Sequence, residues 1–475
     1  MTVLPLDPVS NASPEALTGF LAECRDMAVQ SGRPVLVSIT IQVESLDPLA
    51  VLESIFDPAE RHFYAERPSE GWAIAGAESV LSFSASGPKR FQECQRFIDR
   101  TLADTIAVGD QEIPFGGPHF FCAFAFLDNV KEGEPFVSAS IFVPRWQVAQ
   151  RAGRTVAVAN LLLDVDSQVE ALAARVWNAH AKFRSFDYSA AAFPEGQSAD
   201  ASSIDEVGGR RSYESAVSKA LERISRGEMQ KIVLARAKDV RSRTTFEPLR
   251  ILNGLRQRFP ECSAFSLANG SGQSFIGASP ERLLRVEDSV MTTEALAGSA
   301  NRGTTASEDA SFGGKLLQSE KDLREHRIVL DSIVRRLSPL GLDLRHSERP
   351  LLKRLSNVQH LHTPIEADLP KGVKLLDMLS RLHPTPAVGG TPREVVVPMI
   401  AELEAFPRGL YCGAVGWIDS RGGGEFTVAL RSALIDGSKA RMYAGAGIVA
   451  GSRPEKELAE TELKFKAMQD ALLAP

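Results

Sequence analysis

"MYAGAGIVAGSRPEKELAETELKFKAM", residues 442–468, runs an apolar, glycine-spaced strand through a short turn into a helix with acids at 455, 457, 460 and 462. Glycines placed after a strand and before a helix can cradle a pyrophosphate, which would imply a doubly wound parallel sheet. That reading needs a second strand with an acidic residue about 20 positions further on. Only 28 of the 475 residues follow Gly447, and their pattern is helical. Dinucleotide binding is excluded, and the strand belongs to another kind of sheet.

The rest of the chain says which kind. Strand-like runs occupy 34–42, 71–79, 120–126, 137–143 and 154–163, followed by a helical pattern in "QVEALAARVWNAHAKF". Residues 186–210, rich in Ser, Ala, Gly and Asp, read as a linker between a strand-rich part (1–185) and a second region (211–475). In that region a helix from about Tyr213 precedes the strand "KIVLARAKDV" (231–240) and the helix "EPLRILNGLRQRF". Further strand runs follow, then helical patterns at 305–318 and 319–338, and strands at 410–419, 425–435 and 440–449. Runs of strands followed by runs of helices indicate an α+β fold of mainly antiparallel sheets with helices outside.

Composition narrows the function. The apolar fraction of 44%, the charged fraction of 24% and a net charge of −6 are those of a soluble globular protein. There is no basic run, so nucleic acid is not an expected partner. No apolar stretch is long enough for a helical membrane span, and the first 20 residues lack the pattern of a signal peptide. Five scattered cysteines without CxxC spacing fit reduced thiols in the cytoplasm rather than a zinc site.

Two helix starts carry acids on one face. Glu457, Glu460 and Lys464 fall at i, i+3 and i+7. In "SEKDLREH", Ser319 can cap and Asp322 can close a capping box, but Glu325 lies beyond the N-terminal donors. Helix-dipole partners and an ordinary Glu460–Lys464 pair account for the first set as well as metal binding does. Facing each other, the two starts would offer the hard oxygen ligands that Mg²⁺ takes. Gly445 and Gly447 admit either a close ligand or a tight strand crossing.

These segments, in this order, resemble the chorismate-utilising enzymes, the family of isochorismate, salicylate, anthranilate and aminodeoxychorismate synthases. The resemblance covers residues 212–470 and rests on "KIVLAR", "FIGASPERLL", "LAGSANRG", "SEKDLREH", "NVQHLHTPI", "LHPTPAVGGTPR", "RGLYCGAVGW", "VALRSALI", "YAGAGIV" and "EKELAETELK". It implies two packed antiparallel sheets with helices outside, the N-terminal strands joining the same core. It also implies a Mg²⁺ ion held directly by Glu325 and Glu460, with Asp322 and Glu457 as outer partners or as ligands when substrate is absent. Arg431, Tyr411, Lys464, Gly445 and Gly447 are similar to the group that grips the substrate carboxylates and enolpyruvyl arm, and Gly298 and Ser299 line the same site.

Lys231 resembles the lysine that activates water for attack at C2 of chorismate, and Glu281 the acid that protonates the departing C4 hydroxyl. Aminodeoxychorismate synthases place a nucleophilic lysine where this chain has Ala297, and anthranilate synthases lack the lysine at position 231. The resemblance therefore implies an isochorismate synthase of the menaquinone or phylloquinone type that needs no amidotransferase subunit and acts as a monomer. Salicylate synthase and a siderophore-pathway isochorismate synthase stand as alternatives, since Tyr411 is shared with the salicylate enzymes. His360 either assists pyruvate loss or is a hydrogen-bonded wall residue.

Overall fold

The computed structural model describes residues 1–4, 13–184, 201–356 and 358–473. It is a mixed structure of helices and mainly antiparallel sheet. β-branched and aromatic residues, which suit a pleated surface, fill its strands. His119–Phe124 is buried at every position and so shows no alternation.

One sheet can be followed by its backbone ladders. Val35–Val43 pairs with Arg154–Leu163, which pairs with Ala139–Arg151, then Trp72–Ala85 and Arg61–Arg67. From there the order continues through Ser263–Asn269, Gln273–Ser279, Ser432–Asp436 and Lys439–Val449 to Lys231–Ser242. The second sheet leaves the first end of Ala139–Arg151 through His119–Phe124. It runs on through Ala414–Asp419, Gly424–Val428, Arg282–Glu287, Val290–Asn301 and Val358–Asp368. The two sheets face each other across one continuous apolar core, in which Phe63 and Phe121 stack at 4.4 Å. Strands from the first 185 residues are hydrogen-bonded to strands from the second region in both sheets.

Three sequence expectations are corrected. Residues 201–206, read as linker, form the strand Ala201–Glu206 on the edge of Lys231–Ser242, while 185–200 lie outside the described residues. The run 410–419 is strand only from Ala414, because residues 410–413 turn. The run 425–435 is two strands in different sheets, separated at Ala429–Arg431. Arg431 takes φ +47°, a left-handed conformation uncommon for a non-glycine residue, and the chain crosses from one sheet to the other there.

The two acidic helix starts become Glu320–Leu337 and Pro454–Leu473. In the first, His326, Val329, Leu330, Ile333 and Leu337 form a buried stripe; in the second, Thr461, Phe465, Met468 and Leu472 do so. Packing of these stripes fixes both helices against the sheets and leaves their first turns at the end of the glycine strand. Among the described residues no helix is long and apolar enough to cross a membrane.

Candidate active site

A cavity of about 350 Å³ opens where these first turns meet the strands 231–242, 290–301 and 439–449. All fourteen residues singled out from the sequence line it: Lys231, Glu281, Gly298, Ser299, Asp322, Glu325, His360, Tyr411, Arg431, Gly445, Gly447, Glu457, Glu460 and Lys464. Among the described residues, two other cavities show no unpaired arginine or lysine for an anionic ligand. One is walled by apolar side chains, and in the other Arg151, Arg285 and Arg421 are paired with Glu287, Glu70 and Glu112.

The glycine strand shows why its composition is required. Val233 and Ala235 stand opposite Gly447 and Gly445, but their N–H groups donate the other way, to Gly389 O and a Glu404 carboxylate oxygen. These are therefore the pairs of the ladder that exchange no hydrogen bonds. The N–H and C=O groups of Gly445 and Gly447 point to the free edge of the strand, where Lys464 Nζ donates to Gly445 O at 2.8 Å. A Cβ at Gly445 would lie 2.9 Å from Tyr411 Oη, and one at Gly447 only 2.8 Å from Glu325 Oε1 and 3.1 Å from Lys231 Cε. The crossing is tight, and the backbone N–H groups of Gly445 and Gly447 also face the cavity.

Gly298 does the corresponding work on the opposite strand. It sits in a β-bulge at φ +76°, and a Cβ would come within 3.1 Å of Asp322 Cβ. The bulge brings the strand up to the first turn of the 320–337 helix. Beside it, Ser299 Oγ lies 2.9 Å from His360 Nδ1. Burial, with the charges of Arg431 and Lys464, pushes His360 down to about 3, so its ring is neutral. Its Nε2 is buried without a partner among the described residues. The geometry is that of a hydrogen-bonded wall residue.

Charge is concentrated at the cavity. Lys231 is 1% exposed and its Nζ donates to Glu325 Oε1 at 2.7 Å. Lys464 pairs with Glu460 at 2.8 Å, and Lys321 lies 3.5 Å from Glu457. Burial, then neighbouring acids, raise Asp322 and Glu457 above the usual carboxylate range. Against the upward push of burial, Lys464 holds Glu460 below it. Ser319 caps the 320–337 helix and its hydroxyl also donates to the Asp322 carboxylate, but the expected capping box is not closed, because the Ser319 N–H donates to Leu316 O instead. Arg431 has no acidic partner among the described residues; its guanidinium reaches only Cys262 Sγ, at 3.7 Å. An unneutralised arginine lining a cavity beside two backbone N–H groups that the neighbouring strand leaves unpaired among the described residues is suited to a carboxylate.

Glu281 stands in the turn between Gln273–Ser279 and Arg282–Glu287, 5% exposed. Burial, followed by the negative charge of Glu294, pushes its carboxyl up to about 8. Sequence reasoning did not single out Glu294, Lys353 or His362, which lie behind this turn. Alternating polar residues in the edge-like runs 290–301 and 351–368 carry no such signal.

The four carboxylates Asp322, Glu325, Glu457 and Glu460 offer only hard oxygen donors. Among the described residues no three His, Cys, Asp or Glu side chains converge as a ligand cluster. This donor set suits Mg²⁺, which takes one or two carboxylates and fills its octahedron with water and substrate. All five cysteines are unpaired and buried.

The profile of a protein family described as "Chorismate binding enzyme" matches residues 20–473. The salicylate biosynthesis isochorismate synthase of Pseudomonas aeruginosa is 35% identical over 462 residues, covering 97% of this chain and 94% of the relative. Isochorismate synthase MenF of Bacillus subtilis is 32% identical over 460 residues, 94% and 95% of the two chains. Among solved structures, MenF, the menaquinone-specific isochorismate synthase from Escherichia coli, superposes with a TM-score of 0.78 at 26% identity, covering 95% of this chain and 99% of that one. The fold, the cavity and these whole-length likenesses agree: the chain belongs to the chorismate-binding enzymes.

Proposed function

We propose that the protein is a Mg²⁺-dependent isochorismate synthase. The observation that carries this reading is the pair formed by Lys231 and Glu281 in one cavity, an amine and a carboxyl that burial and Glu294 hold protonated at neutral pH. Acting as a neutral amine, Lys231 takes a proton from the water that attacks C2 of chorismate. The two ring double bonds shift, and the C4 hydroxyl leaves as water with the proton of Glu281. One water enters and one leaves, so the reaction is an isomerisation. Without proton transfer at both ends, water is too weak a nucleophile and hydroxide too poor a leaving group.

Arg431 and the N–H groups of Gly445 and Gly447 would receive the substrate carboxylates, and Tyr411, stacked on Tyr443 at 5.0 Å, would wall the enolpyruvyl side. Glu325 and Glu460 would hold the Mg²⁺ ion, with Asp322 and Glu457 outside them. When bound, the ion neutralises the ring carboxylate and draws electron density from C2. Ala297 at the cavity wall offers no nucleophilic lysine, which supports water rather than an enzyme amine as the attacking group.

The whole-length likeness to menaquinone-type enzymes supports a place in quinone synthesis, and that to the Pseudomonas aeruginosa relative supports salicylate synthesis as a second destination of the same product. A salicylate synthase would also expel pyruvate; lined by Tyr411 and a neutral His360, the cavity allows that as the second reading.

The test is incubation of the pure protein with chorismate and Mg²⁺, followed by chromatography. Isochorismate as the main product supports the proposal. Salicylate with pyruvate establishes the second reading, and a product that requires ammonia points to the aminating branch. Binding without turnover would mark a regulatory chorismate-binding protein.

A further inference from the structure

The turn that carries Glu281 is gripped from behind by a buried ion pair. Glu294, on the strand Val290–Asn301, accepts a hydrogen bond from the Arg282 backbone N–H at 2.8 Å. Lys353, on the strand Leu351–Arg354, donates to Pro280 O at 2.9 Å and to both Glu294 carboxylate oxygens at 2.8 Å. The peptide groups on either side of Glu281 are thus tied to one carboxylate–ammonium pair. His362 Nε2 lies 2.7 Å from the same carboxylate. Side-chain exposure is only 10% for Glu294 and 19% for Lys353, so water screens the pair weakly. On the other side of the turn, Glu281 O accepts from the Thr427 hydroxyl at 2.7 Å and the Val428 N–H at 3.1 Å.

We infer that Glu294 and Lys353 are positioning residues that aim the Glu281 carboxyl into the cavity and set how tightly it keeps its proton. The inference rests on Glu281 being the general acid of the proposed reaction. The charged and titratable groups facing Glu281 are Glu294 on 290–301, Lys353 on 351–354, Lys231 on 231–242, Lys464 on the terminal helix and the Cys412 thiol. Glu294 is the one acid among them. Lys231 and Lys464 have carboxylate partners of their own, Glu325 and Glu460, whereas among the described residues Lys353 is neutralised only by Glu294. The pair therefore presents nearly balanced charge to Glu281, and removing either member upsets the balance in a known direction.

The test is a charge-removal cycle read by the pH dependence of kcat. A catalytic acid loses activity as pH rises through its pKa. Glu294→Gln keeps an oxygen for the Arg282 N–H but removes the like charge and strands the Lys353 ammonium. The alkaline limb should move to lower pH by about one unit or more. Lys353→Gln leaves the Glu294 charge unopposed and should move the limb to higher pH. The double variant should lie between the two, close to the parent. The infrared band of the protonated Glu281 carboxyl, identified by its loss in Glu281→Gln, should titrate with the same shifts and requires no turnover.

If both single variants lower kcat equally at every pH and leave the limb and the band in place, the pair is scaffolding only and the inference fails. If instead the limb survives in Glu281→Gln, measured with proportionally more enzyme, Glu281 is not the acid and the proposed mechanism itself falls. Should Glu294→Gln not fold, as judged by circular dichroism, Lys353→Gln decides alone, since its opposite shift is required by the same argument.

Discussion

Replacing Glu281 with glutamine should inactivate the enzyme and stabilise the folded chain, the second effect depending on pH. The carboxyl titrates near 4.5 when solvated and is pushed up to about 8 in the fold, first by burial and then by Glu294. At pH 7 about nine in ten copies of a group with that pKa are protonated, against about three in a thousand for a solvated glutamate. The sign follows from the raised value. The folded state keeps a proton that the unfolded chain gives up between pH 4.5 and 8, so stability owed to this group is full below that window and is lost as pH rises through it. At about 1.4 kcal/mol per unit, the loss has a ceiling of about 4–5 kcal/mol by pH 8. Glutamine is neutral and of the same shape, and does not incur it. Glu281→Gln should therefore match the parent in urea unfolding near pH 5 and exceed it by a few kcal/mol at pH 8.5. Meanwhile kcat should fall about 10²–10⁴-fold, the usual contribution of a general acid, with chorismate binding kept. An equal stability difference at both pH values would refute the reasoning, because the carboxyl would then be charged in the fold at neutral pH.

The remaining predictions concern the ligands of the cavity. Glu460→Gln removes one negative charge from the proposed Mg²⁺ site; activity should collapse and excess Mg²⁺ should restore it only partly, whereas an unchanged Mg²⁺ requirement would reassign Glu460 as a helix-end partner of Lys464. Gly447→Ala should push the Glu325–Lys231 pair apart, since the added Cβ would lie 2.8 Å from Glu325 Oε1. A loss of kcat with little change in melting temperature is expected, and wild-type turnover would show that the pair shifts freely. Arg431→Gln removes a cavity cation that has no acidic partner among the described residues; a charged hydrogen bond is worth about 1.5–3 kcal/mol, so KM should rise roughly 10–100-fold. An unaltered KM would move the carboxylate to another part of the cavity. Lys231→Ala should bind chorismate yet lose kcat about 10²–10⁴-fold, and near-normal turnover in the folded variant would make Lys231 structural.

The residues that could be read from sequence are those whose spacing is local. Acids three apart at a helix start lie on one face wherever the helix goes, and glycines two apart in a strand clear one edge of it, so 319–325 and 445–464 already showed two halves of a site. What sequence could not show was set by partners far away along the chain. The run 425–435 reads as one strand because no glycine or proline interrupts it, yet the ladders of Gly424–Val428 and Ser432–Asp436 belong to different sheets. Only that switch explains how an arginine comes to stand in the cavity at φ +47°. The segment 201–206 is polar enough to pass for linker, and becomes strand because the free edge of Lys231–Ser242 supplies its hydrogen bonds. Glu294 is hidden for the same reason. In its own strand it is one polar residue among alternating ones, and its chemistry arises from Lys353 and Arg282, brought to it by separate ladders. The groups proposed to touch substrate were legible because each helix or strand carries its own; the groups inferred to tune them were not, because tuning requires a charge from one strand to meet a peptide group of another.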